Sequence, residues 1–392
     1  MSDITQEKLQ PTHQMLVDFR RDLHRHPELG FDEHRTAEKV STALRSFGLE
    51  VHEGIGGTGV VGVLRNGGGN RTIMLRADMD ALPITETSTH KYPSENSGKM
   101  HACGHDGHTT MLLGAAQYLS GNKPFDGTVI FLFQPNEEHG LGAKAMIKDG
   151  LIAQFQPDEV YGIHNLPGAP LGEFSTRNGT ICASESLFEF EIFGQGGHAS
   201  MPQVGVDAIL VGSELVQALQ TIVARKLAPA TGAVVSVTEF ITDGQRNVLP
   251  GHAVLKGDTR SFTSHDRAEI ERLMRQIAKG IATAHDVRID VRFNTEFEET
   301  VNAPDQVRAA MLAASGISDQ VLPNRMKMSF SEDFGRLSAE VPGCFILMGN
   351  GTEYPYSQPL HASDYDFNDK ALTVGAAFWA RLVSEQLPQK DS

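Results

Sequence analysis

Apolar positions recur every three or four residues at Leu16, Phe19 and Leu23, and again at Ala37, Val40, Leu44 and Phe47, with Gly48 placed to stop the second run. This spacing predicts two amphipathic helices. Short apolar runs follow, each ending in polar residues. Thr72 to Leu75 leads into Arg76-Ala77-Asp78-Met79-Asp80, Thr128 to Phe133 into Gln134-Pro135-Asn136-Glu137-Glu138, and Glu159 to Ile163 into His164-Asn165. Such runs read as buried strands, and their alternation with helical stretches such as Thr109 to Leu119 predicts an α/β layer. In sheets of this kind ligands gather beyond the strand ends, which is where the polar residues fall.

From about Leu187 to Phe293 the pattern changes. A strand (Leu187 to Phe193) precedes a helix with Ile209, Val216, Leu219 and Val223 on one face. Two strands follow, Val234 to Phe240 and Ala253 to Arg260, then a helix bearing Ile270, Leu273, Ile277 and Ile281. A strictly alternating strand, Val287 to Phe293, ends the series. The order β-α-β-β-α-β is that of a split-βαβ, ferredoxin-like unit, with one sheet face on helices and one in water. It divides the chain into a first α/β part (1–184), an inserted α+β domain (185–296) and a returning α/β part (297–392).

The 392-residue length suits two domains. A formal charge of −15 disfavours an electrostatic grip on nucleic acid or anionic lipid. Three cysteines, Cys103, Cys182 and Cys344, are too few and too odd in number for a disulfide framework, so a reducing, cytoplasmic setting is expected. The start, Met1 to Lys8, carries no signal-peptide pattern, and no apolar stretch is long enough to span a bilayer.

The densest chemistry is Met100-His101-Ala102-Cys103-Gly104-His105-Asp106-Gly107-His108, expected to lie directly before a helix. A thiolate, imidazoles and a carboxylate in so short a span suit zinc, manganese, nickel or iron. A helix-capping loop with Asp106 as the cap is the plain alternative. Glu137-Glu138 adds adjacent carboxylates at a strand end, one able to bind metal while the other takes a proton from water. His164 and His361 stand at a further strand end and a further loop. Each alone is more often structural, but four such sites are best explained by one shared metal centre. In Gly194-Gln195-Gly196-Gly197-His198, the histidine could donate to a developing oxyanion. Arg260 has the fork that suits a carboxylate, and Asn247 sits near it in the inserted region.

Taken together, Asp22-Leu23-His24-Arg25-His26-Pro27-Glu28, Arg76-Ala77-Asp78-Met79-Asp80-Ala81-Leu82-Pro83, Cys103-Gly104-His105-Asp106-Gly107-His108, Glu137-Glu138, Gly162-Ile163-His164, Gly196-Gly197-His198 and Leu360-His361 are a specific set. By them the chain resembles the M20 metallopeptidase family, in its amidohydrolase branch of hippurate and auxin-conjugate hydrolases, nearly end to end. The resemblance implies a catalytic α/β/α sandwich with an inserted lid and dimerisation domain. It implies two divalent metal ions (manganese, zinc, nickel or cobalt) held by Cys103, His105, Glu138, His164 and His361. Glu137 is then the general base, Asp78 steadies the site from behind, His198 stabilises the oxyanion from the smaller domain, and Asn247 and Arg260 bind substrate. The implied substrate is a small N-acyl amino acid, and the implied assembly a homo-oligomer. Deacetylation of N-acetylated amino or diamino acids is the rival activity. The presence of Glu137 beside a full ligand set disfavours a non-catalytic metal-binding protein, and no second cysteine near Cys103 supports a redox role.

Overall fold

The computed structural model describes residues 3–389. They divide into two compact units: one of residues up to Ile181, Thr300–Met326 and from Asp333 onward, the other of Cys182–Glu299 with Lys327–Glu332.

The larger unit is built on an eight-stranded sheet. Its strands β1 (Glu50–Ile55), β2 (Gly59–Asn66), β3 (Thr72–Asp78), β4 (Gly127–Gln134) and β5 (Glu159–Pro167) lie in the order β1-β2-β4-β3-β5. Gly343–Gly351, Phe174–Ser175 and Val321–Leu322 complete it. β4, β3, β5 and Gly343–Gly351 run parallel to one another, while β1 and β2 form an antiparallel edge. The apolar runs bury both faces. Ile73, Leu75 and Ala77 join one core with Val129, Phe131 and Phe133, and the intervening Met74, Ile130 and Leu132 are equally buried on the other side. On the first face lie the helices His13–Arg25, His105–Asn122 and Ala371–Gln386, the last carrying buried Trp379. On the other, Phe334 of Phe334–Glu340 packs so close to Gly162 that a side chain there would touch its ring. Parallel strands connected through helices on both faces leave one end of the sheet free for chemistry.

The smaller unit has the expected order of elements: Ser184–Phe193, Ala208–Thr221, Val234–Thr242, His252–Ser261, Ser264–His285 and Arg288–Phe297. Its sheet runs Val234–Thr242, His252–Ser261, Ser184–Phe193, Arg288–Phe297, every neighbour antiparallel. The first helix is rotated from the expected face. Ala208, Val211, Leu215, Leu219 and Ile222 are buried, whereas Ile209 is 43% exposed and Val223 37%. The periodicity admits either stripe, and the one centred on Ala208 and Leu215, roughly a quarter turn away, fits against the strands. Lys327–Glu332 joins this unit because the carbonyls of Met328 and Phe330 accept the Ala183 amide. Among the described residues no helix is long and apolar enough to cross a membrane.

Candidate metal centre and catalytic residues

All of the candidate ligands belong to the larger unit, delivered by a helix start, the turn after β4, the interior of β5 and the loop at His361. Gly104 turns the chain with a φ of 93°, and a Cβ there would fall 2.2 Å from Asn165 Oδ1. The helix therefore begins at His105, earlier than the sequence pattern suggests, so that His105 and His108 occupy its first turns and Cys103 stands just before it. Gly104, not Asp106, is the N-cap, and His101, His105 and His108 are all buried. At the end of β4, Asn136 takes a left-handed φ of 45° and leads into Glu137 and Glu138. His164 does not end its strand. β5 continues to Pro167 because Gly343–Gly351 pairs with it throughout, His164 opposite Leu347. His361, with φ 66°, is tied by its amide to the Ala102 carbonyl at 2.8 Å.

These four segments converge. The donor atoms of Cys103, His105 and His164 lie within 4.8 Å of one another, as do those of Cys103, Glu138 and His361. A third group joins His105 with Glu137 and Glu138. Cys103 is common to the first two triads, His105 to the first and third, and Glu138 to the second and third, so the donors form one continuous cluster. Its Sγ is 3.3 Å from His164 Nε2, Glu138 Oε2 is 3.4 Å from His361 Nε2, and Glu138 Oε1 is 3.9 Å from His105 Nε2. The backs of two imidazoles are held: His164 Nδ1 by the Asn165 carbonyl at 2.7 Å, and His105 Nδ1 by Asp80 at 3.1 Å. Such contacts place the ring proton on Nδ1 and turn Nε2 toward the other candidate ligands. His105 Nε2 and Glu138 Oε1 are buried and hydrogen-bonded to nothing. Buried polar atoms are rarely left so, and a thiolate, imidazoles and a carboxylate around them suit a divalent ion of borderline softness. The residues fit the expected metals.

The electrostatics agree. Burial opposes charge on His105, but Asp78, Asp80 and Glu138 outweigh it and lift its pKa to about 10. Burial pushes Glu138 up to about 7, and burial with neighbouring His108 holds His164 well below its usual range. The pocket stabilises positive charge at His105, where bound metal would take the proton's place.

Behind the ligands, two aspartates divide the work. Asp80 accepts from His105 and, through Oδ2, from the Glu138 amide at 3.0 Å, so one carboxylate orients two candidate ligands. Asp78, expected from the sequence to steady the site, lies 3.8 Å from His105 Nε2 through Oδ2 and also binds His108 Nδ1 and Arg76 Nη1, each at 2.7 Å. Arg76 is fully buried and also bonds Gln134 and Asp333. Asp80 sits in the same quoted motif. Its role depends on the chain leaving β3 at Asp78, which spacing alone does not reveal.

Residues 74–385 match the pattern of Peptidase family M20/M25/M40. The chain belongs to this family. It is accordingly a metal-dependent hydrolase, of the amidohydrolase branch. This M20 chain is 41% identical to the hippurate hydrolase of Campylobacter jejuni over 94% of its own length and 95% of that protein's. It is 35% identical to the N-acetyldiaminopimelate deacetylase of Leuconostoc mesenteroides, over 92% and 94%. Among solved structures it resembles the Bacillus subtilis YXEP protein, described as a dinuclear metal-binding peptidase of the M20 family, with a TM-score of 0.85 and 30% identity over 96% and 99% of the two chains.

The remaining candidates of this M20 amidohydrolase lie in the smaller unit. His198 and Asn247 come together there: Gly197–His198 pairs with Val248–Leu249, and the Ala199 amide donates to the Asn247 carbonyl at 3.0 Å. Both are exposed. His198 Nδ1 accepts from the Ser200 amide at 3.1 Å, which leaves the proton of a neutral ring on Nε2. Arg260 is engaged on all three nitrogens, donating to Asp258 at 2.9 Å, to Ser331 at 2.8 Å and to Glu185.

Proposed function

We propose that this M20 amidohydrolase cleaves the amide bond of N-acyl amino acids, hippurate-like aryl-acyl conjugates above all, releasing a carboxylic acid and a free amino acid. The observation that carries this reading is the pair of donor triads sharing Cys103 with the Glu137 carboxylate beside them. Cys103, His105, Glu138, His164 and His361 are assigned as ligands of two divalent ions (manganese, zinc, nickel or cobalt), which when bound polarise the amide carbonyl and acidify the attacking water. Glu137, 6% exposed, takes a proton from that water and delivers it to the amide nitrogen as the C–N bond breaks. Asp80 and Asp78 hold the ligands in place. His198, with its proton on Nε2, is the candidate donor to the oxyanion. Asn247 is assigned to substrate binding. Arg260 is assigned to the substrate carboxylate: its three bonds use three of the five guanidinium N–H groups and leave one on each terminal nitrogen.

A homo-oligomer is part of the proposal. Ile209, Leu210, Val234, Phe240 and Ile241 are 40% exposed or more, and the last three lie on the edge strand of the smaller unit's sheet. An apolar edge left open in a monomer invites pairing or aggregation, so a second copy is its natural cover.

Hydrolysis of a panel from N-acetyl to N-benzoyl and indole-acetyl amino acids, by chelator-stripped enzyme reconstituted with each metal, tests the reading. Metal-restored cleavage of aryl-acyl substrates supports it, and silence across the panel with metals bound overturns it. The resemblance to an N-acetyldiaminopimelate deacetylase favours a second reading, deacetylation, and a preference for N-acetyl substrates on the same panel would establish that instead.

A further inference from the structure

Glu33 lies in the segment between the first two amphipathic helices of the chain, far from the candidate ligands in sequence, and is completely buried. Burying a carboxyl is costly unless its oxygens are bonded, and both oxygens of Glu33 are. Thr58 Oγ1 donates to Oε2, and the backbone amide of Asn136 donates to Oε1 at 2.8 Å. Asn136 is the left-handed residue that turns the end of β4 into Glu137 and Glu138. A second contact grips the same residue. Gly30 lies so close to the Asn136 side chain that a Cβ on it would fall 2.1 Å from Oδ1 and 2.8 Å from the Asn136 Cβ. The Asn136 side chain in turn bonds His139 Nδ1 at 2.7 Å, and its carbonyl accepts from the Gly142 amide at 3.0 Å.

We propose that Glu33 and Gly30 are positioning residues for the reaction. They clamp Asn136, and through its bend they set the directions of the Glu137 and Glu138 carboxylates. The inference rests on the roles given above to Glu137 as base and Glu138 as ligand. A bend at a non-glycine residue with positive φ persists only where its surroundings over-determine it. Here the determinants are one buried carboxylate on the amide and one missing Cβ beside the side chain. The Glu138 amide is separately held by Asp80. The turn is therefore fixed from before and from behind, and Glu137, between those two anchors, has little freedom. A base must hold hydrogen-bond reach to the attacking water, and small misplacements there cost rate more than binding.

The test compares Glu33→Ala, Glu33→Gln and Gly30→Ala with the wild type in kcat, KM and metal affinity, the last measured by titrating cobalt into stripped protein and following its absorption. Glutamine keeps an acceptor for the Asn136 amide; alanine does not. The expected result is a 10- to 100-fold loss of kcat in Glu33→Ala with KM within about threefold, weaker binding of one cobalt equivalent, and recovery to within about threefold of wild type in Glu33→Gln. Gly30→Ala, whose backbone needs no positive φ, is expected to show the same split through the other contact. Unchanged kcat and cobalt binding in folded Glu33→Ala overturns the proposal. So does a Glu33→Gln as damaged as the alanine variant. If Glu33→Ala does not fold, Gly30→Ala decides: wild-type kcat and cobalt affinity there overturn the clamp, and their loss supports it. Should wild-type protein cleave nothing on the panel, the functional reading fails while the cobalt titrations still test the clamp.

Discussion

His24, Glu86 and His90 bring three donor atoms within 4.8 Å of one another, as Cys103, His105 and His164 do, and by residue type either group could hold a metal ion. They differ in what already occupies their atoms. His24 bonds Asp106 through Nδ1 at 2.9 Å and Glu86 through Nε2 at 3.3 Å. His90 Nε2 reaches Glu86 at 2.9 Å, and the second Glu86 oxygen accepts from the Ser94 amide. Arg20, fully buried, adds a permanent positive charge against Asp106. That group is an ion-paired network, closed on itself. In the Cys103 group, His105 Nε2 and Glu138 Oε1 have no hydrogen bond, only long ion-pair contacts of 3.9 Å to each other and 3.8 Å from His105 to Asp78. Ligand chemistry and proximity are therefore not enough to mark a metal site. The deciding feature is buried bonding capacity left open, because a satisfied cluster must lose its own bonds before it can take an ion.

Four experiments press on this contrast. The largest effect is expected from Glu137→Gln, which keeps the shape of the open site and removes its base. Turnover should fall by about 10²–10⁴-fold with metal content unchanged, and elemental analysis beside kinetics checks both halves; an active variant removes Glu137 from the mechanism. Next, Cys103→Ala strips the ligand common to both triads. Its metal affinity should fall by more than the roughly 10- to 100-fold typical of changes behind the ligands, read by titration against a chelator. The stabilisation that saturating metal gives the wild type, about 3 kcal/mol at a hundredfold excess over Kd, should shrink with it.

A smaller effect separates the two clusters by pH. Burial opposes charge on His24, but Asp106 and Glu86 outweigh it and raise its pKa from 6.5 to about 9 in the folded chain. The folded state thus holds a proton that the unfolded chain has released. The stabilisation is complete below pH 6.5 and disappears as pH rises through 9. Denaturant midpoints of metal-free protein should fall across that window, and His24→Gln should flatten the fall; identical slopes would mean that the pair stays neutral. The smallest effect belongs to His90→Ala. If the His24 cluster is only an ion-paired network, this variant keeps its full metal content and a kcat within about twofold of wild type, and loss of a metal equivalent would mean that the two clusters are alike after all.

Much of this contrast was legible in the chain. Cys103, His105, Glu138, His164 and His361 stand out because metal-binding side chains recur in four separate segments, beside a helix, after apolar runs and in a loop, which one shared site explains. The order of elements in the smaller unit was equally plain, since alternation and helical periodicity are local properties. What was missed depends on geometry a few residues wide or a hundred residues long. The helix starts at His105 because Gly104 turns left-handed beside Asn165. The inward stripe of the helix Ala208–Thr221 was settled by the strands it covers, between two stripes of similar apolarity. Asp80 holds His105 through Nδ1 while Asp78 faces its Nε2, since the chain leaves its strand between them. The partners Glu185, Asp258 and Ser331 that orient Arg260 come from three separate segments, which spacing does not reveal.

The sequence by itself determined the elements, the two architectures and the kinds of atom offered at the strand ends, because burial pattern and residue chemistry are written locally. Only the tertiary structure decided which of those atoms are left unsatisfied. That property belongs to pairs of groups such as Glu33 and Asn136, or His24 and Asp106, that the fold brings from distant parts of the chain into one low-dielectric interior, where an unmade hydrogen bond is costly enough to matter.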